Sequence, residues 1–81
     1  MSRSLHSPRH DALCALLVER RKRAGLTQAQ VAVALRRPQS YVATVEQGQR
    51  TVDVVTLLAF AEAIGFDPCE ALRLVASYPK A

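Results

Sequence analysis

Tryptophan is absent from this 81-residue chain, and tyrosine and phenylalanine occur only twice each. Sheet sandwiches draw on aromatic and β-branched residues, so this scarcity leaves Leu, Val and Ala to build the interior and favours helices. Cysteine occurs only at Cys14 and Cys69, too few and too far apart for a disulfide framework or a metal site. Both are expected as buried thiols of a reducing compartment. No apolar run approaches the ~20 residues needed to cross a bilayer, and the first residues lack the apolar stretch of a secretory signal. A soluble cytoplasmic protein with no membrane partner follows as the expectation. Catalytic constellations are missing too: there is no nucleophile with a base, carboxylate pair, phosphate-cradling glycine loop or metal cluster, and His6 and His10 have no companions. No enzyme, metal or cofactor is therefore expected.

What is present is positive charge, unevenly placed. The formal net charge is +4, which points to a polyanionic partner more than to a fold. Nine of the eleven basic residues lie at or before position 50: Arg3, Arg9, Arg20, Arg21, Lys22, Arg23, Arg36, Arg37 and Arg50. Only Asp11, Glu19 and Glu46 oppose them there. The chain is long enough for one small domain, whose modest core would gain from pairing with a second copy.

Helix signals recur in order. Ser7 and Pro8 form a cap and a first helical residue, and Asp11 and Arg20 to Arg23 match the two ends of the helix dipole. Leu13, Leu16 and Leu17 supply its apolar stripe, and Gly25 stops it in the left-handed region. Thr27 with Gln30 matches a capping box, with Leu26 and Val31 placed as a staple, and Val31, Ala32 and Leu35 face inward along a second helix. Arg36 and Arg37 make a turn. Pro38 opens a third helix reaching Gln47, on which Tyr41, Val42 and Val45 fall on one side at about 100° per residue. Gln39, Ser40, Ala43, Thr44 and Gln47 fall on the other, a polar stripe with no acidic member. Gly48 ends that helix. Asp53 caps a fourth with Val54, Leu57, Leu58, Ala61 and Ile64 at core spacing, closed by Gly65. Asp67 and Pro68 open a fifth that carries Leu72 and Val75 and ends near Ser77.

The predicted architecture is all-α, five short helices: a flexible basic arm over residues 1–7, a domain over 8–77 and a tail over 78–81. Arg3, His6 and Arg9 are candidates for reaching a phosphate backbone or a minor groove.

Arg21 to Gly25, Leu26-Thr27-Gln28, Ala32, Leu35, Pro38-Gln39-Ser40-Tyr41-Val42, Val45-Glu46, Gly48, Arg50, Leu57-Leu58, Ala61 and Ile64-Gly65 together resemble, in order and spacing, the Cro and phage-repressor class of helix-turn-helix domains, the XRE class. The resemblance runs from about Leu16 to Leu72, with the helix-turn-helix at about 27–47, and implies a lambda-repressor-like domain that binds double-stranded DNA. It implies that Gln39, Ser40 and Thr44 contact bases. It also implies that Gln28, Arg36, Arg37, Tyr41, Gln49 and Arg50 contact phosphates, and that Arg21 and Glu46 form a structural ion pair. Many relatives carry a glycine and an apolar residue where Arg36 and Arg37 stand.

The expected function is that of a transcriptional regulator, a repressor or autoregulator, bound to an inverted repeat as a homodimer and associated with the nucleoid while bound. With no separate ligand domain expected, control would fall to concentration, dimerisation or a protein partner. Phe60, Phe66, Leu72, Leu74 and Val75 are expected at the dimer interface. The alternative is a protein-interaction module that keeps the fold and binds a toxin or an activator.

Overall fold

The protein is described by a computed structural model, in which residues 7–80 are placed. Five helices, α1 (Pro8–Arg23), α2 (Gln28–Leu35), α3 (Gln39–Glu46), α4 (Val54–Ile64) and α5 (Pro68–Ala76), are the regular structure of the described residues. The first six residues, with Arg3 and His6, lie outside them.

Capping chemistry fixes where each helix begins. Ser7 Oγ accepts from the His10 amide, so Ser7 caps α1. At α2 the capping box is complete: Thr27 Oγ1 accepts from the Gln30 amide at 3.1 Å and Gln30 Oε1 accepts from the Thr27 amide at 2.9 Å. Asp53 accepts from the Thr56 amide at 2.7 Å and Asp67 from the Cys69 amide at 2.9 Å. Hydrogen bonds from Thr56 hold the Asp53 carboxyl below the ordinary carboxylate range. Pro38 caps α3 without any side-chain hydrogen bond.

The core is aliphatic around a single phenylalanine. Leu16, Leu17, Val31, Ala32, Val42, Val45, Leu57, Phe60 and Ala71 form one buried cluster, with Leu13, Leu26, Leu35, Tyr41 and Phe66 packed against its edge. Helix α1 contributes to it while packing on α3, α4 and α5, and α2 lies between α3 and α4. Small residues permit this: Ala32 and Ala71 are buried where larger side chains would push the helices apart.

Several expectations from periodicity are corrected. On α4 the inward direction passes through Leu57, Phe60, Ala61 and Ile64, while Val54 and Leu58 are 63% and 43% exposed. Leu58 is rotated about 100° from Leu57, and Val54 stands on the first turn, at the rim of the neighbouring helices. Phe60 is 1% exposed inside its own subunit and presents no surface to a second copy. On α5 only Ala71 is fully buried, and Leu72 is half-exposed. Cys69 is exposed, unlike Cys14. Arg9 Nε donates to the Tyr78 carbonyl at 3.1 Å and Nη2 to the Ala76 carbonyl at 3.3 Å, tying α1 to the end of α5.

Candidate nucleic-acid interface

The turn between α2 and α3 positions the site. Arg36 occupies the left-handed region at φ 59° and ψ 43°, and among the described residues it is the one non-glycine with positive φ. An L-residue there is strained by its Cβ. The strained residue does what glycine does at the end of many helices: its amide and that of Arg37 return to the Val33 and Ala32 carbonyls. The chain then turns sharply, and α3 crosses in front of α2.

Beneath α3 runs a hydrogen-bonded chain that begins in the protein interior. Arg21 Nε and Nη2 donate to the two oxygens of Glu46 at 2.6 and 2.9 Å, and Nη1 donates to the Leu26 carbonyl. The two side chains are 11% and 6% exposed, so this is a buried bidentate pair joining α1 to the last turn of α3. Its hydrogen bond pushes the Arg21 pKa above the ordinary guanidinium value against an opposing desolvation. Gln28 Nε2 donates to Glu46 Oε1 at 2.9 Å, and Gln39 Nε2 donates to Gln28 Oε1 at 2.9 Å. Four side chains thus connect the core to the exposed first residue of α3.

The outer face of α3 carries exposed Gln39, Ser40 and Gln47, with Thr44 half-buried. Thr44 differs from its neighbours because its hydroxyl is engaged. Oγ1 donates to the Tyr41 carbonyl at 2.9 Å and accepts from Arg50 Nε at 2.7 Å. A hydroxyl has a single hydrogen, so Thr44 retains its methyl group and one acceptor position for another contact.

Cations flank this face. The guanidinium carbons of Arg37 and Arg50 lie 4.8 and 5.2 Å from the centroid of the Tyr41 ring, a distance at which each cation is attracted by the ring. Arg37 precedes α3 and Arg50 follows it, so one tyrosine gathers positive charge from both ends of the helix. Neither pairs with a carboxylate among the described residues. In contrast Arg20 and Arg23 are engaged by Glu19 and Glu70. Arg36 diverges from Arg37 and lines a depression with Ala59, Glu62 and Ala63 of α4. At the far end of α3, His10 Nε2 sits 3.2 Å from the Gly48 carbonyl, an acceptor that requires the hydrogen on that nitrogen, and Cys14 Sγ is 3.6 Å from it.

The sequence profile described as "Helix-turn-helix domain" matches residues 12–74. An XRE-family like protein from Pseudomonas syringae pv. tomato str. DC3000 is 42% identical, superimposes with a TM-score of 0.82 and is covered over 94% of each chain. The chain belongs to the XRE-class helix-turn-helix family of DNA-binding regulators.

Two further structures share this XRE fold. The clp gene regulator ClgR from C. glutamicum is 28% identical with a TM-score of 0.76, over 88% of this chain and 94% of that one. The restriction-modification controller protein C.AhdI from Aeromonas hydrophila is 37% identical with a TM-score of 0.68, over 74% and 91%. Among curated protein sequences none matches. No helix among the described residues is long and apolar enough to cross a membrane.

Of the residues singled out by sequence, the structure brings Gln28, Gln39, Arg21 and Glu46 into one chain of contacts. It also brings Tyr41, Thr44, Arg37 and Arg50 into one cluster, leaves Ser40 and Gln49 exposed, and separates Arg36 from the rest. The engagement of Thr44 by Arg50 had no signature in spacing, because it depends on how the loop after Gly48 folds back.

Proposed function

We propose that the protein regulates transcription by placing α3 in the major groove of an inverted-repeat operator, as a homodimer, with Gln39 and Ser40 reading base edges. The observation that carries this is the outward Gln39 amide, held by Gln28 and bracketed by Arg37 and Arg50 at either end of the same helix. Phosphate contacts from Arg37, Arg50, Tyr41 and Gln49 supply most of the salt-dependent affinity, and the few base contacts select the site. Gln28 keeps one amide hydrogen for a phosphate after serving Glu46.

A pair of copies suits the dimensions of the domain. The domain extends 33 Å in its longest direction, and α3 is a single two-turn helix, so one copy serves one half-site. A second recognition helix must stand about 34 Å away to meet the next major groove on the same side of the duplex. The dimer face is the apolar groove lined by Leu13, Val52, Val54, Leu57, Leu72 and Val75, about 200 Å³ in volume. Leu72 and Val75 belong to it. Leu74 points elsewhere on α5, being about 200° from Leu72, Phe60 is buried in the core of the subunit, and Phe66, partly buried, packs against the edge of that core.

A binding titration against duplexes selected from a random pool tests the assignment. Gln39→Ala should remove the preference at one base position per half-site while leaving the helical content unchanged. Equal affinity of wild type and variant for all duplexes would refute base reading and favour a module that binds protein instead. Equilibrium sedimentation should show a dimer for the wild type and a monomer for Leu72→Glu.

A further inference from the structure

The chain of hydrogen bonds from Arg21 to Gln39 does more than brace α3. An amide side chain has two ends of almost equal shape and opposite hydrogen-bonding sense, and a glutamine on a free surface turns either end outward. Here the choice is removed one link at a time. Arg21 can only donate, so the carboxylate of Glu46 receives from it. Glu46, ionised, can only accept, so Gln28 must turn Nε2 toward it and leave Oε1 at its other end. That oxygen can only accept, so Gln39 must turn Nε2 toward it. The outward remainder of Gln39 is then one acceptor, Oε1, and one N–H donor.

We infer that the buried Arg21–Glu46 pair is a specificity-positioning device, which sets the polarity of the Gln39 amide and so makes it read adenine against guanine. This rests on the base-reading role proposed above. Adenine offers a donor at N6 and an acceptor at N7, the complement of what Gln39 retains; guanine offers two acceptors, O6 and N7, one of which would meet Oε1. To present both amide hydrogens to guanine, Gln39 would have to turn its oxygen toward Gln28. Gln28 would then have to turn its own oxygen toward the Glu46 carboxylate. That juxtaposition of acceptors, beside a carboxylate only 6% exposed, is what opposes the inverted reading. Neither Arg21 nor Glu46 needs to touch the nucleic acid for this to operate.

The test begins with sites selected by the wild type from a pool of random duplexes, and with the base position whose preference Gln39→Ala erases. Duplexes carrying adenine or guanine at that position are then titrated with the wild type, with Gln28→Met, and with the exchange Arg21→Glu/Glu46→Arg. The wild type should prefer adenine on the order of tenfold. Gln28→Met leaves the ion pair and the core in place but breaks the chain, so the two duplexes should bind nearly alike. The exchange keeps an ion pair yet presents a donor to Gln28, which inverts every link and should move the preference toward guanine. The slope of affinity against salt should stay as in the wild type in both variants, since no phosphate cation is altered.

A pair with only a structural role predicts otherwise: the exchange restores wild-type preference, and Gln28→Met weakens both duplexes by one common factor. Either result overturns the inference, as would a wild type that prefers guanine at the Gln39 position. Circular dichroism establishes folding, and if the exchange does not fold, Gln28→Met decides alone. A wild type that selects no sequence at all would instead refute the proposed function, and the inference with it.

Discussion

Replacing Arg36 by glycine should make the protein more stable and leave its binding to DNA almost unchanged, which is an unusual combination for the removal of an arginine in a helix-turn-helix. The stability term comes from the backbone. Arg36 holds φ 59° and ψ 43°, a conformation that costs an L-residue about 1–2 kcal/mol through its Cβ. Glycine removes that strain but enlarges the conformational freedom of the unfolded chain, at a cost of about 0.4–1 kcal/mol. At the midpoints of these ranges the difference favours the variant by about 0.8 kcal/mol, or an increase in Tm of roughly 3–6 °C for a domain of this size. Arg36→Ala is the control, because it deletes the same charge and guanidinium but keeps the Cβ; it should show no such gain. The binding term follows from direction, since Arg36 lies beside Glu62 of α4 whereas Arg37 lies on Tyr41 beside α3. Arg37→Ala should therefore reduce the slope of log affinity against log salt by about 0.9 per site, the release of one counterion, and Arg36→Gly should not. Thermal unfolding by circular dichroism and salt-dependent titrations read both terms. An Arg36→Gly protein less stable than wild type, or an Arg36→Ala protein equally stabilised, would show that the left-handed residue is not the source of strain.

Other expectations follow from the same contacts. Thr27→Ala opens the capping box of α2 and should cost about 1 kcal/mol in a urea titration. Phe60→Ala should cost about 3–5 kcal/mol because the ring is 1% exposed in the core, and what remains folded should still dimerise. Treatment with iodoacetamide at neutral pH should modify Cys69 and spare Cys14 until the protein is unfolded, as mass spectrometry would show. Burial, and secondly Asp11, push the Cys14 thiol up, which keeps it protonated and unreactive. The Asp53 carboxyl, lowered by its hydrogen bonds to Thr56, contributes stability above the ordinary aspartate value and loses it as the pH falls through the lowered one. The difference in stability between wild type and Asp53→Asn should accordingly be greatest near neutrality and close on acidification.

The beginnings and ends of the helices were written in local chemistry. Ser7, Thr27, Asp53 and Asp67 accept amides within two or three residues of themselves, and Gly25, Gly48 and Gly65 take the left-handed conformations that let the chain leave a helix. Such contacts depend on neighbours along the chain, so the sequence alone determined five helices, their order and the polar face of α3. Local periodicity could not say which of several apolar residues faces inward, because burial depends on what stands opposite. Phe60 went to the core and Val54 and Leu58 to the surface for that reason. The interface divides in the same way: residue types near 39–50 announced a DNA-binding face, but only the tertiary structure turned Arg37 and Arg50 onto one tyrosine, engaged the Thr44 hydroxyl and linked Arg21 to Gln39. Apart from Arg37 and Tyr41, which are close in the chain, those contacts join residues distant in sequence or divided by the loop after α3, and no local rule sets their geometry until the helices have packed.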